Sequence, residues 1–202
     1  MKLDLSKVIL SRNDKKIGII LPNYLHKKLA YFIGVHLGDG TMNKYGKYYY
    51  SIGYSGHLID ENSFYKVEFK NLFKELFNKE LFVYERFRDK KSSIDLTTQS
   101  KGIFTFLHTS LGIEKGRKIN NKIPKIIKKS NFKKDFIKGL ADSDFCLTFK
   151  NKSKYRIPTI SWSTKNKILM KEVNKELKNL GFKTSTLFDF PKKRYEKVHI
   201  SN

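Results

Sequence analysis

The segment Phe32-Ile-Gly-Val-His-Leu-Gly-Asp-Gly40 recurs in degenerate form 105 residues later, as Ile137-Lys-Gly-Leu-Ala-Asp-Ser-Asp-Phe145. Aligning Gly34 with Gly139 also aligns Gly38 with Ser143 and Asp39 with Asp144. Small residues four apart share one helical face, so two such helices can approach backbone to backbone. Each segment then ends in an aspartate. The carbonyl end of a helix already carries partial negative charge, so a carboxylate is badly placed there. Two carboxylates side by side are worse, and a divalent cation would relieve both problems. Mg²⁺ suits a site with few carboxylates, because waters and substrate phosphate oxygens complete its shell.

Outward from the repeat, each copy opens the same order of elements. Ile17-Gly-Ile-Ile-Leu-Pro22 reads as a short strand or extended entry stopped by proline, with Asn23 capping a helix over about 24–38. The aromatic run 47–55 reads as a strand, 58–79 as an amphipathic helix, and 81–88 with 93–98 as a hairpin. A closing helix is expected over 101–111. In the second half 132–143 and 165–180 read as helices, and 146–150, 157–163, 183–190 and 197–201 as strands. The order α-β-β-α-β-β therefore occurs twice, in 1–112 and 131–202, the second copy without its closing helix. Between them, 113–130 reads as a basic linker. From Lys115 to Lys138 the chain has ten Lys or Arg and one acid, Asp135. That run is either a solvated basic face or a strap over a phosphate backbone.

Composition narrows the class. The 202 residues carry 42 Lys+Arg against 19 Asp+Glu, a net charge of +23, which opposes compaction unless a polyanion neutralises it. Hydrophobic residues make up 39% and aromatics 14%, enough for a packed core. The single cysteine, Cys146, rules out an intramolecular disulfide and a cysteine zinc cluster. No apolar run is long enough to span a bilayer, and the N-terminus has no apolar signal core, so a soluble intracellular protein without a membrane partner is expected.

On these residues the chain resembles the double-motif LAGLIDADG homing endonucleases, over nearly its full length. The resemblance implies an α+β fold of two pseudo-twofold-related αββαββ(α) repeats, the paired motif helices at the centre and the sheets forming a β-saddle over DNA. It implies a monomer that cuts both strands of a long asymmetric target, with Mg²⁺ as cofactor and Mn²⁺ or Ca²⁺ able to substitute in binding. Asp39 and Asp144 would be catalytic metal ligands, joined by the carbonyls of Gly38 and Ser143. Ser55 and Ser163 stand where the family places a polar residue that organises water. Lys101 fits the basic residue that opens the helix after the fourth strand. His36 and Leu37 depart from the usual first motif, and Phe145 replaces the final glycine of the second.

Strand alternation leaves one sheet face free for a DNA groove. The candidate contacts are Lys47, Tyr48, Tyr50, Arg86, Arg88 and Ser93 in the first half. In the second they are Lys150, Arg156, Thr159, Ser161, Lys192, Lys193 and Arg194. Arginine is the usual reader of guanine, whereas lysine tips more often meet phosphate. Trp162 reads as core. Double-stranded DNA is the expected partner. Two other roles stay open: an RNA-binding maturase acting on a host intron, and a sequence-specific DNA-binding protein that has lost cleavage.

Overall fold

The computed structural model describes residues 1–87, 92–152, 155–187 and 196–201. Arg88, Lys192, Lys193 and Arg194 lie outside the described residues, and the side chain of Lys150 does too.

The fold is α+β. Eight strands form two four-stranded antiparallel sheets, ordered β1-β2-β4-β3 and β5-β6-β8-β7. In the first, β1 (Gly40–Tyr45), β2 (Tyr49–His57), β3 (Phe82–Arg86) and β4 (Ser93–Gln99) form two hairpins joined edge to edge. The second repeats that order with β5 (Phe145–Lys152), β6 (Tyr155–Thr164), β7 (Lys183–Leu187) and β8 (Glu196–Ser201). Gly40 pairs with Tyr54 in one sheet as Phe145 pairs with Trp162 in the other, so each sheet begins directly after a motif aspartate in the same register.

Between the sheets lie α2 (Lys27–Gly38) and α6 (Lys133–Asp144), packed tightly along their lengths. Glycine permits this. A Cβ on Gly34 would fall 2.1 Å from the Phe136 carbonyl oxygen, and one on Gly139 would fall 2.0 Å from that of Tyr31. α2 is apolar almost all round, with Leu29, Phe32, Ile33, Val35 and Leu37 all buried, as a helix enveloped by its own domain must be. α6 buries Phe136, Ile137, Gly139 and Leu140, while Lys134 and Lys138 are exposed. Asn23 does not cap α2; that place falls to His26, which makes no side-chain capping bond. The stretch 19–22 forms no strand.

The first core is built from rings. Phe32 meets Phe69, Phe73, Phe77 and Tyr54 at centroid distances of 5.1–6.3 Å. Phe69 closes a π-helical segment (Phe64–Phe69) that runs into α3 (Lys70–Phe77). A short helix absent from the sequence reading, α1 (Arg12–Ile17), is held by the buried Asp14. That carboxylate accepts from Ser100 Oγ at 2.7 Å and Gly102 N at 2.9 Å, at the start of α4 (Lys101–Thr105). α4 continues as a π turn, Phe106–Ser110. The second half is less covered. The cross-strand pair Met42 and Ile52 is 2% and 0% exposed, but the pair at the same register, Leu147 and Ile160, is 61% and 39% exposed.

The basic run between the halves is ordered. Gly116 N donates to Met42 O at 2.7 Å, and a 3₁₀ turn (Lys118–Asn120) leads to α5 (Lys125–Lys128). Asn166, the N-cap of α7 (Lys167–Asn179), donates to Lys118 O at 2.6 Å and Asn121 O at 2.8 Å. No helix among the described residues is long and apolar enough to cross a membrane.

Candidate active site

Asp39 caps the carbonyl end of α2 and Asp144 is the last residue of α6. Because the helices pack on their small residues, these ends meet: a Cβ on Gly38 would lie 2.1 Å from Ser143 Oγ and 3.3 Å from Asp144 Cβ. Ser143 is buried, its hydroxyl turned back to the Gly139 and Leu140 carbonyls. The two aspartates differ in surroundings. Asp39 is half-buried, whereas Asp144 is exposed. Desolvation pushes the Asp39 carboxyl up to about 7, with the negative charges of Asp144 and Glu61 adding to it, while Tyr65 and Lys118 oppose it.

Each carboxylate is held by an aromatic donor. Tyr65 OH donates to Asp39 Oδ2 at 2.5 Å, and Trp162 Nε1 donates to Asp144 Oδ2 at 2.7 Å. Tyr65 comes from the helical layer and Trp162 from β6, so the two halves solve the same positioning problem with different elements. In both cases the aromatic donor engages Oδ2.

The two motifs also differ at a pair of positions flanking the aspartate. In the first motif a Cβ at Gly40 would strike the His36 carbonyl oxygen at 2.4 Å and its ring Nδ1 at 2.5 Å, so His36 demands glycine there. His36 is fully buried, bonded through Nδ1 to Tyr54 OH at 2.9 Å, and burial pushes its pKa down to about 3. At the aligned position the second motif has Ala141, which removes the ring, and Phe145 takes the place of glycine. Phe145 then stacks on Trp162 at 5.5 Å.

The cation at this centre is Lys118. Its Nζ donates to the Gly38 carbonyl oxygen, and it interacts electrostatically with both Asp144 and Asp39. Burial lowers its pKa and the two carboxylates pull the other way. Asn166 fixes its backbone, so the second half anchors a linker lysine against an oxygen of the first. The sequence reading placed the basic residue at Lys101. In the structure Lys101 Nζ lies 5.7 Å from the centroid of the Tyr50 ring, in a cavity of about 550 Å³ lined also by Lys44, Lys47 and Tyr48. Lys118 was one lysine among many in a basic run, and no local pattern marked it.

The proposed reading surface divides. Ser55 and Ser163 each follow the residue paired with the start of β1 or β5, which sets them across from Asp39 and Asp144. Arg86 and Ser93 share the open face of the first sheet with Ser55. Tyr50 instead lies on the helix side, its ring 5.2 Å from that of Phe104, and Lys47 and Tyr48 occupy the β1–β2 turn. Arg156 alternates with Ile160 and Trp162, so it shares the helix-side face and lies 5.9 Å over the Phe149 ring; Thr159 and Ser161 take the opposite face.

Among the described residues no group of three or more His, Cys, Asp or Glu could hold a metal ion by itself. The oxygens that meet here are the two carboxylates and the Gly38 carbonyl, which Lys118 already engages. That fits a hard cation which draws the rest of its shell from water and phosphate, and does not fit a self-sufficient cage.

No protein-family model matches the chain, and no curated protein sequence does. Solved structures do. A mesophilic variant of the homing endonuclease I-DmoI superposes with TM-score 0.58 at 22% identity, covering 87% of this chain and 88% of that one. The homing endonuclease I-WcaI, bound to its DNA recognition sequence, gives TM-score 0.64 at 15% identity over 95% of this chain and 82% of that one. I-DmoI in complex with DNA and Mn gives TM-score 0.56 at 22% identity, over 87% and 89%. The chain resembles the LAGLIDADG homing endonucleases in fold.

Proposed function

We propose that this protein is a metal-dependent endonuclease that cuts both strands of a specific DNA duplex. The observation that carries this reading is the meeting of Asp39 and Asp144 at the ends of two glycine-packed helices, with Lys118 beside them. Two adjacent carboxylates repel a polyanion, so their meeting here favours metal-assisted cleavage over binding alone. The repeated strand order and register support two repeats, 1–112 and 131–202, related by a pseudo-twofold axis along the α2–α6 interface and joined by 113–130. The whole arrangement lies within one chain, so a monomer carries both halves. The fold neighbours were solved with DNA and with Mn, Ca or Mg, which supports the same partner and a divalent ion here.

Asp39 and Asp144 would hold the metal, with Mg²⁺ the proposed ion, the Ser143 carbonyl as a further oxygen, and the Gly38 carbonyl as another once Lys118 turns from it to the phosphate. A bound divalent ion supplies Lewis acidity toward the phosphodiester and a more acidic water. The chain does the rest. Tyr65 and Trp162 fix the rotation of each carboxylate. Lys118 places a positive charge where negative charge grows on phosphorus oxygens. Lysines and arginines of the net +23 chain neutralise the backbone and set the register of the duplex.

The test is selection of bound and cut sequences from a random duplex library with Mg²⁺. The reading expects a defined cut site, loss of cutting in Asp39→Asn and Asp144→Asn, and retained binding in both. Unimpaired cutting by either variant rules out the metal-ligand assignment.

A further inference from the structure

On the open face of the first sheet, Asp95 sits between two donors. Ser55 Oγ donates to Asp95 Oδ1 at 2.5 Å, and Arg86 Nε pairs with Asp95 Oδ2 at 3.0 Å. The three residues come from adjacent strands, β2, β4 and β3, in matched register: Ser55 lies opposite Asp95, and Arg86 lies opposite Ser93, two residues away on the same face. The Asp95 side chain is 15% exposed, while that of Arg86 is 63% exposed. Ser55 is thus engaged with a carboxylate on the neighbouring strand.

An acid on the face of a basic protein that meets a polyanion needs a reason. As a simple surface ion pair it contributes little stability. Its geometry gives another role. Arg86 meets Asp95 through Nε, the inner side of the guanidinium, so its outer edge, the two terminal nitrogens, is the side that can donate to a base. A guanidinium has donors only, so it matches a base edge with two acceptors, and in the major groove that is O6 and N7 of guanine. An arginine already held by a carboxylate loses less freedom on meeting a base than a loose one does. Ser55 closes the chain of contacts back toward the Asp39 end of β2.

We infer that Asp95 is a specificity-positioning residue: it holds Arg86 to read one guanine, a few base pairs from the cut, on the side of the target bound by the first sheet. The inference rests on the endonuclease reading above. The network belongs to the first sheet, because the register partner of Ser163 on β8 is Lys197, not an acid. The two half-sites are therefore read by different chemistry at this position.

The experiment maps base preference from a random duplex library, in bound and in cut fractions, for the wild type, Asp95→Asn, Arg86→Lys and Arg86→Ala. In the wild type one position near the cut should favour guanine by about tenfold or more. Arg86→Ala should abolish that preference, and Arg86→Lys and Asp95→Asn should flatten it several-fold, with the other positions unchanged. Arg86 is exposed, so its two variants carry the test even where Asp95→Asn fails to fold. If the wild type cuts but every position is unaltered in these variants, the Asp95–Arg86 assignment is overturned while the nuclease reading stands. If the wild type neither binds nor cuts any duplex, the nuclease reading falls and this inference falls with it.

Discussion

Trp162 donates its indole N–H to Asp144 Oδ2 at 2.7 Å, and it is the only tryptophan in the chain. The indole is 2% exposed and stacked on Phe145, so its emission reports on the second carboxylate alone. Titrating Mg²⁺ into the wild type should change that emission, and the change should vanish in Asp144→Asn but survive in Asp39→Asn. Trp162→Phe keeps most of the ring and deletes the donor. A lost hydrogen bond to a charged group costs about 1–3 kcal/mol, readable by urea denaturation. Loss of an outer partner of a metal ligand commonly costs about tenfold to hundredfold in affinity or rate. Nicked duplex should therefore accumulate as one strand lags. Equal slowing of both strands would mean that Trp162 supports the fold and not one centre.

The Asp39 carboxyl predicts a pH dependence of defined sign. Its pKa is raised by desolvation to about 7, against 3.8 for an ordinary aspartate. Between these values the folded protein holds a proton that the unfolded chain has released. The stability this gives is complete below about pH 4 and is lost as pH rises through about 7. Metal binding requires the carboxylate, so Mg²⁺ affinity should climb over the same interval and then level off. In Asp39→Asn the downward slope of metal-free stability should be much reduced. Denaturant midpoints measured from pH 4 to pH 8 without metal check this, and an equal slope in the variant would show that another group titrates.

Much of the fold was legible because it rests on local chemistry. Gly34 and Gly139 announced a close helix pair, and strand-forming runs marked β2 to β8, whereas β1 (Gly40–Tyr45) and the order of strands within each sheet were not legible. What escaped was long-range. Asp14 is held by Ser100 and Gly102 across 86 and 88 residues, contacts that no local pattern announces. Trp162 read correctly as core, but nothing near it in sequence showed that Asp144 was its partner. Arg156 and Tyr50 were assigned to the open face, and alternation from Trp162 and Ile52, once the register is fixed, puts them on the other. Lys118 was invisible for a plainer reason: the contact that orders it, Asn166 to its carbonyl oxygen, spans 48 residues.

Lys118 and Lys101 give the sharpest comparison of sequence with structure. Lys118 bonds the Gly38 carbonyl between the two acids, whereas Lys101 lies over Tyr50. Lys118→Met keeps much of the stem and removes the charge. Removing one stabiliser of transition-state charge typically costs about a hundredfold or more, so single-turnover cleavage should fall by that much while duplex binding holds. Lys101→Met should leave cleavage within about threefold and weaken binding modestly, with a smaller salt dependence. The reverse ranking would return the basic residue to position 101.

The helix pair itself can be tested at its two tightest points. Alanine at Gly34 or Gly139 puts a methyl about 2 Å from a carbonyl oxygen of the facing helix, and the obstacle is backbone that cannot swing aside. The helices must separate. Overpacking a tight interface costs about 1–3 kcal/mol, and rigid backbone on the far side puts these sites at or beyond the upper end. Gly46 is the contrasting case. It lies in the β1–β2 turn at φ 57° with nothing within 4 Å of an added Cβ, so alanine there meets only the strain of a left-handed backbone, about 1 kcal/mol. Separation also moves Asp39 away from Asp144. Gly34→Ala should therefore lose Mg²⁺-dependent cleavage more steeply than its stability loss accounts for, even at a temperature where it is fully folded. Stability and cleavage of the three alanine variants, measured together, decide whether the close approach of α2 and α6 serves the fold alone or also sets the distance between the two carboxylates.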